Sequence, residues 1–159
     1  TIICTDKTGT LTHNEMTVQR ICTHCGFLFV TGSGFAPEGQ IIPQKGVNES
    51  TIQEEVIPLL KMAILCSDAR VDESENGWVP VGDPTEVALI VAGRKAGLHE
   101  DQVRLEYQRQ DVIPFEPEKR LMATLHLSAD QKQHVLLKGA PEEILLRCDV
   151  DEKTKLAWL

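Results

Sequence analysis

The sequence of 159 residues predicts an α+β fold, since segments typical of strands and of helices follow one another along the chain. Two β-rich runs, 17–22 and 27–31, flank a short turn and predict a hairpin. The segment 121–127 alternates like a half-buried strand. The stretch Gly82-Asp83-Pro84-Thr85-Glu86 predicts a helix start, with Asp83 as the N-cap and Pro84 in the first helical position.

The beginning of the chain predicts a strand, the hairpin and a loop. Ile2-Ile3-Cys4 is typical of a strand that ends at Asp6, and the four residues after Asp6 are typical of a polar turn. This places a carboxylate at the C-terminal end of a strand, where open α/β sheets carry their chemistry. After the hairpin, Gly and Pro residues predict a loop over 32–43, which includes the apolar pair Ile41-Ile42.

The middle of the chain predicts a helix of uncertain start. A helical period extends from Ser50 onward, and Gln53 follows Ser50 at capping-box spacing. Pro58 interrupts this period, so we expect either a short helix that begins at Pro58 or a longer, kinked one. The polar run 72–77 predicts an exposed turn before a strand at 78–81.

The second half of the chain predicts further helices and strands. The helix capped by Asp83 is expected to end at Gly97. The sequence predicts a helix that begins at Pro141. The acidic residues in its first turn would interact favourably with the helix dipole. We expect this helix to carry Ile144, Leu145 and Cys148 inward, and no pattern is visible beyond Asp149. The other predicted elements are a short helix at 98–107 and strands at 111–115 and 134–137.

The composition indicates a folded, acidic domain. Apolar residues make up 42% and charged residues 25% of the chain, which is typical of globular proteins. The net charge of −8 and the lack of a basic run argue against nucleic acid as a partner. The sequence contains neither a stretch of 18 apolar residues nor a secretion signal, so we expect a soluble chain. We also expect the chain to be monomeric.

The cysteines indicate reduced thiols rather than a disulfide framework. Their number, five, is odd and their spacing is uneven (positions 4, 22, 25, 66 and 148). The arrangement Cys22-Thr23-His24-Cys25 could bind zinc or do redox chemistry, although the sequence shows no second ligand pair. The alternative is a hairpin whose turn passes through His24, Cys25 and Gly26.

Asp6 is the candidate nucleophile, because a carboxylate can accept a phosphoryl group and later release it to water. Lys7 would offset the phosphate charge, while the hydroxyls of Thr8 and Thr10 and the backbone of Gly9 could bind its oxygens. Such a site normally uses Mg²⁺ to bridge carboxylate and phosphate. The alternative is an ordinary polar turn after a strand.

Five segments in order resemble the P-type ATPases, the ATP-driven ion pumps that are phosphorylated on Asp in DKTGT. The segments are DKTGT at 6–10, LTHNEM after it, GDPTE at 82–86, PFEPEKRLM at 114–122 and KGAPE at 138–142. The resemblance implies a twisted antiparallel sheet flanked by helices, the nucleotide-binding domain, over 17–150. It also implies that 1–16 contribute an orphan strand of an incomplete phosphorylation domain and that 151–159 are a truncated tail.

The resemblance also implies an ATP site. Phe115 would stack on adenine, Lys138 would line the pocket, Gly139 would let the backbone approach the ligand, and Glu86 would hold the adenine edge. The family's Arg two residues after this Phe is Pro117 here, so Arg120, or Lys119 beside it, is expected to contact phosphate instead. The alternatives are a core position for Phe115, a solvated strand end for Lys138 and a capping role for Glu86.

By the same resemblance, Asp6 would carry the phosphoryl group, with Mg²⁺ held by Asp6, by the backbone of Thr8 and by residues outside this sequence. Thr8 stands where related dehalogenase-type phosphatases have a second Asp, so the phosphoenzyme should persist. We expect a fragment that binds nucleotide only, on the cytoplasmic side of a multi-pass membrane pump of the calcium type. The rival interpretations are a stand-alone phosphatase and a non-catalytic module that binds a protein partner.

Overall fold

The computed structural model of the protein describes residues 15–75 and 77–158. This part of the chain divides into two compact units, of which the first ends at Glu100 and the second begins at Asp101. All its strand pairs are antiparallel and helices lie between and after the strands, which confirms the predicted α+β class. The strands are distributed over three separate sheets. A single domain over 17–150 stays a prediction.

The first unit begins with a three-stranded sheet of order β1-β2-β3, formed by β1 (Arg20–Thr23), β2 (Gly26–Val30) and β3 (Ile41–Pro43). The predicted hairpin is confirmed, because β1 and β2 pair with Thr23 opposite Gly26, so that His24 and Cys25 form the turn. The apolar pair Ile41-Ile42, which the sequence placed in a loop, instead belongs to β3 and pairs with the free edge of β2. That pairing satisfies backbone groups that a loop would leave to water.

The sheet covers a core shared with the helices of the same unit. Alternate residues of β1 and β2 are buried, as expected for a sheet with one face on a core. Leu28 is completely buried. The buried core cluster consists of Ile21, Leu28, Val30, Val56, Leu60 and Ala92. Burial of each Ile, Leu or Val side chain of this cluster contributes about 1.5–3 kcal/mol, so the cluster holds the hairpin on the helices.

The helix around Pro58 is continuous rather than broken. A π-helical segment (Ile52–Val56, the π segment) leads into α1 (Ile57–Leu65), and the amide of Ile57 bonds to the carbonyl of Ile52. A proline ring normally clashes with the carbonyl four residues earlier, and the wider π turn relieves that contact. Thus the kinked alternative is closer to the structure. The start differs from the predicted capping box at Ser50. The acceptor there is the side chain of Asn48, which accepts a hydrogen bond from the backbone amide of Ser50 at 3.1 Å.

The second sheet of the first unit is a hairpin of β4 (Arg70–Ser74) and β5 (Gly77–Val81). Strand β5 agrees with the predicted strand at 78–81. The exposed turn predicted over 72–77 is shorter than expected, because 72–74 belong to β4. These residues are exposed and polar, so their side chains gave no sign of a strand whose ladder is made by the backbone.

Helix α2 (Pro84–Lys95) has the predicted start, because the Asp83 carboxylate accepts hydrogen bonds from the amides of Thr85 and Glu86. Helix α2 ends at Lys95 with Ala96 as its C-cap, and Gly97 then adopts a φ of 79°, the left-handed conformation common just after a helix. Gly93 lets α2 approach α1 closely, since a Cβ there would lie 2.7 Å from Cδ1 of Ile64. The short helix predicted at 98–107 is α3 (Glu100–Glu106).

Arg94 near the end of α2 links several elements of the first unit. Its guanidinium forms a two-pronged ion pair with the buried Glu100, with N···O distances of 2.9 and 2.5 Å. It also donates to the carbonyl of Val71 on β4 at 2.7 Å and lies 5.2 Å from the ring centre of Trp78 on β5. One side chain therefore holds the second hairpin and the start of α3 on α2.

The second unit contains the third sheet, of order β6-β7-β8, formed by β6 (Tyr107–Glu116), β7 (Leu121–Ser128) and β8 (Gln133–Gly139). The three strands predicted in this region are confirmed within longer strands. The central strand β7 is buried at most positions, whereas β6 is largely exposed. Within the described ranges, every helix is too short or too polar to cross a bilayer.

Two helices follow the third sheet, α4 (Pro141–Leu145) and α5 (Glu152–Trp158). Helix α4 begins at Pro141 as predicted, with Ile144 and Leu145 half-buried. The inward position expected for Cys148 is wrong, because α4 ends before it and its side chain is exposed. The tail expected to lack a pattern forms α5, whose start is capped by the Asp151 carboxylate accepting from the Thr154 amide at 2.8 Å.

The N-cap of α2 should make a measurable contribution to the stability of the fold. We expect Asp83→Ala to lower the free energy of unfolding by about 1 kcal/mol, because two amides lose their acceptor. Urea unfolding followed by circular dichroism would measure the change. Glu73→Ala, which removes the same charge from the exposed side of β4, should change it by less than about 0.5 kcal/mol. Equal losses in the two variants would contradict a specific cap.

Candidate functional site

The predicted phosphorylation residues Asp6, Lys7, Thr8, Gly9 and Thr10 lie outside the described residues. The predicted Mg²⁺ ligands, Asp6 and the backbone of Thr8, are among them. The other predicted site residues fall in the two units separately. Phe115, Arg120, Lys138 and Gly139 belong to the second unit, and Glu86 belongs to the first.

Phe115 presents an aromatic ring at the end of β6. The pairing of β6 with β7 is irregular between Ile113 and Glu116, so Pro114 and Phe115 lie in a bulge of the strand. The Phe115 side chain is 56% exposed. A phenylalanine is usually buried, and this exposure argues against the alternative of a core position. The bulge therefore turns out an aromatic surface next to the turn that leads to β7.

Arg120 ends that turn in a conformation unusual for its residue type, with a φ of 50°. Its amide donates to the carbonyl of Glu116 at 2.7 Å, which closes the turn. The guanidinium pairs with two carboxylates in the first turn of α4, Glu142 at 3.1 Å and Glu143 at 2.9 Å. The hydrogen bond to Glu143 is the main cause that raises the pKa of Arg120. Lys119 is engaged locally with Glu116 at 2.9 Å.

Lys138 and Gly139 end β8 beside the same turn. Lys138 is half-buried and lies opposite Met122 of β7, and Gly139 lies opposite Leu121. A Cβ on Gly139 would meet the carbonyl oxygen of Arg120 at 2.4 Å, so a side chain here would push the turn away. The packing of its neighbours therefore explains why position 139 is a glycine, in addition to the approach to a ligand that the resemblance implies.

The second unit therefore brings four of the predicted residues to one end of its sheet, where β6 and β8 end and β7 begins. This end, the β6–β8 edge, comprises Phe115 at the end of β6, Arg120 at the start of β7, and Lys138 and Gly139 at the end of β8. It offers an aromatic face and two cationic side chains, while the first turn of α4 adds two carboxylates. An aromatic ring beside cations suits a ligand that has a flat base and an anionic tail.

The residues that the sequence did not place in the site are Glu142 and Glu143. The sequence explained them by the dipole of α4, whereas in the structure they bind the Arg120 guanidinium. They follow Arg120 by 22 and 23 positions. No local spacing rule connects residues so far apart, and only the pairing of β7 with β8 brings them together.

Glu86 has a structural role in the first unit. It lies in the first turn of α2, and its Oε2 accepts hydrogen bonds from the amides of Asp68 at 2.8 Å and Ala69 at 3.2 Å. These amides belong to the segment that joins α1 to β4. Asp83, not Glu86, supplies the cap acceptor for the α2 amides. Glu86 therefore positions this connecting segment on the start of α2.

Comparisons with known proteins agree on one family. The family model described as P-type ATPase, cytoplasmic domain N, matches residues 55–154. The cation-transporting ATPase pma1 of Synechocystis is 36% identical over 154 residues, covering 94% of this chain and 17% of that protein. A calcium-transporting ATPase of Bacillus subtilis is 34% identical, over 92% of this chain and 16% of that protein. The calcium-transporting ATPase type 2C member 1 of Bos taurus is 36% identical, over 92% and 15%.

The hydrogen bonds of Glu86 predict a local effect on exchange. In Glu86→Ala, the amides of Asp68 and Ala69 should exchange with solvent roughly ten- to a hundredfold faster, because bonds to a charged acceptor contribute about 1.5–3 kcal/mol. Hydrogen–deuterium exchange by NMR would measure this. Glu86→Gln keeps an oxygen acceptor and should show a smaller increase. Unchanged exchange at both amides in Glu86→Ala would refute the role.

The ion pairs of Glu143 predict its titration. Hydrogen bonds from Arg120, first, and Arg147 lower the pKa of Glu143. Its stabilising contribution is therefore fully present above the unfolded carboxyl pKa of about 4.3 and is lost as the pH falls through the lower folded pKa. Arg120→Ala should raise the pKa of Glu143, as measured by carboxyl carbon shifts in an NMR titration. Lys155→Ala, which removes a partner of Glu152, should leave it unchanged.

Proposed function

The chain belongs to the P-type cation-transporting ATPases, in which it corresponds to the cytoplasmic domain N, and we propose that it binds ATP at the β6–β8 edge. The chain spans 14–17% of the length of the relatives it matches. We accordingly propose that the whole enzyme, of which this chain is a part, couples ATP hydrolysis to cation transport.

The observation that supports ATP binding is that the exposed ring of Phe115 lies at the same end of one sheet as Arg120 and Lys138. Adenine favours an aromatic face, and stacking of a base on an aromatic side chain contributes about 1–3 kcal/mol. Arginine and lysine are the usual partners of phosphate oxygens. The three residues come from two motifs of the sequence, 114–122 and 138–142, and both β6 and β8 pair with β7, which brings the two motifs to the same end of the sheet.

The carboxylates of Glu142 and Glu143 fit this proposal as temporary partners of Arg120. In the structure they neutralise the guanidinium, which is half-exposed. A triphosphate carries more negative charge than either carboxylate and can bind the same planar donor group in two-pronged fashion. We infer that ATP competes with the two glutamates for Arg120, so that the free chain keeps the arginine in place for its ligand.

The phosphoryl chemistry of the whole enzyme is proposed from the DKTGT motif. The Asp6 carboxylate would attack the γ-phosphorus of ATP, ADP would leave, and water would later hydrolyse the aspartyl phosphate. Mg²⁺ would neutralise charge on the phosphate oxygens when bound. Its predicted ligands, Asp6 and the backbone of Thr8, lie outside the described residues. Thr8 offers no general base, which favours a long-lived phosphoenzyme.

The transported ion is proposed from the relatives. Two of those described above are named calcium-transporting ATPases. We propose that the whole enzyme carries calcium or a similar cation across a membrane, with this chain on the cytoplasmic side together with the remaining phosphorylation and actuator domains.

An NMR titration of the labelled chain with ATP, without and with Mg²⁺, tests the proposal. We expect saturable shifts at the β6–β8 edge and a Kd about five- to a hundredfold higher in Phe115→Ala, because the stacking contribution is lost. Lys138→Ala should also weaken binding, since it removes a cation. Glu86→Gln is included to learn whether the first unit contributes.

Matched variants make this titration specific. Phe27→Ala removes a phenylalanine of similar exposure, 47%, from β2, and Lys45→Ala removes an exposed lysine from the first unit. Both should bind ATP like the unchanged chain. Equal weakening in Phe27→Ala and Phe115→Ala, or no shifts at millimolar ATP in a folded sample, would reject ATP binding at this edge.

A further inference from the structure

We propose that His24, Cys25 and Glu55 form a zinc-binding site in the first unit. These three side chains offer a ring nitrogen, a sulfur and a carboxylate oxygen that all lie within 4.8 Å of one another. Among the residues that the structure describes, they are the group of three such donors close enough to share one ion. The site is separate from the residues proposed to bind ATP.

The donors lie close enough together to bind one metal ion. Cys25 Sγ lies 2.9 Å from Glu55 Oε1 and 3.5 Å from His24 Nε2, and His24 Nδ1 lies 3.1 Å from Glu55 Oε2. Zinc bonds of 2.0–2.3 Å at tetrahedral angles place two ligand atoms about 3.3–3.6 Å apart. The first and the last of these distances involve different atoms of Glu55, and the two His24 distances involve different ring nitrogens, so rotations of these side chains would bring one nitrogen, the sulfur and one carboxylate oxygen to the required separations. The His24 side chain is 77% exposed, so its ring can rotate to offer either nitrogen.

Two rigid elements hold the donors. His24 and Cys25 form the turn of the β1–β2 hairpin, and Glu55 lies in the π segment, 30 residues after Cys25. The Glu55 side chain is only 17% exposed, and the next residue, Val56, is completely buried in the core. Since the core fixes both the hairpin and the π segment, the backbone positions that carry the donors are held close together without an ion.

The donor types select the metal. Thiolate and imidazole favour zinc and similar ions, whereas Mg²⁺ and Ca²⁺ prefer oxygen ligands. Three protein donors leave a fourth position, which water can fill. The Cys25 thiol now donates to Glu55, and it would lose its proton to solvent when sulfur and carboxylate bind the ion. The sequence suggested Cys22 and Cys25 as candidate zinc ligands, whereas the structure places Glu55, and not Cys22, beside Cys25 and His24.

Zinc at this position would join the hairpin turn to the π segment. The ion would connect residues 24 and 25 with residue 55 and so close a loop of the chain that is otherwise held by core packing. Any ion that binds the folded chain and not the unfolded one raises the midpoint of thermal unfolding with its concentration. Binding should therefore stabilise the first unit.

Isothermal titration calorimetry of the reduced chain with Zn²⁺ tests the site, together with Co²⁺ as a spectroscopic probe. We expect one Zn²⁺ per chain, a rise of the unfolding midpoint, and a sulfur-to-cobalt charge-transfer band in the near ultraviolet. His24→Ala, Cys25→Ser and Glu55→Gln should each raise the Kd about tenfold or more, and Cys25→Ser should abolish the charge-transfer band.

Two matched variants keep the test specific. Cys22→Ser removes the other exposed thiol of the hairpin, and Glu54→Gln removes the neighbouring exposed carboxylate. Both should keep the wild-type Kd and the cobalt band. All five substituted side chains lie at or near the surface, and circular dichroism would confirm folding. The proposal is overturned if Zn²⁺ does not bind at micromolar concentrations, if the band persists in Cys25→Ser, or if Cys22→Ser weakens binding as much as Cys25→Ser.

Discussion

The ion pair between Arg94 and Glu100 is the interaction on which the arrangement of the first unit depends. Arg94 reaches from the end of α2 to the start of α3, to the β4 carbonyl of Val71 and to the ring of Trp78. The Arg94 side chain is 17% exposed and that of Glu100 is 5% exposed, so the removal of either partner would leave a largely desolvated charge, at a cost of about 3–5 kcal/mol. A lysine could not replace the planar donor group, because a single ammonium cannot make the two parallel bonds and the third to a carbonyl. The place of Glu86 follows from this arrangement, since its partners Asp68 and Ala69 lead directly into β4.

Most of the regular structure could be predicted where one segment contains its own signal. The cap at Asp83, the hairpin around His24 and the strand β7 are local patterns, and each is present. Strands β3 and β4 were missed for a different reason. The first is three residues long, and the second carries polar side chains that face water, so both depend on pairing with a neighbour rather than on periodicity. The π turn before Pro58 was also beyond sequence analysis, because its hydrogen-bond register has no signature in residue type.

In the candidate site, too, some residues could be predicted from local motifs and others could not. Phe115 and Lys138 could be predicted because each lies in a short motif with a chemical reason for its residue type. The partners of Arg120 could not, since Glu142 and Glu143 meet it only through the register of β7 on β8. Glu55 is a similar case, because 30 residues separate it from the thiol that it contacts. Contacts made by tertiary structure supply the charge and the geometry around residues that motifs identify.

The π segment also determines how this part of the chain tolerates changes of length. A π turn contains one residue more than an α turn, so the deletion of one residue within Ile52–Val56 would restore the ordinary helical register. Because the wide turn absorbs its extra residue, the segments on either side of the deletion would keep nearly the faces that they present now. The Pro58 ring would then meet the carbonyl four residues earlier, which the wide turn now keeps away from it. The extra residue of the π segment is therefore what allows the helix to continue through Pro58, and its removal would place the proline in the position where it breaks helices.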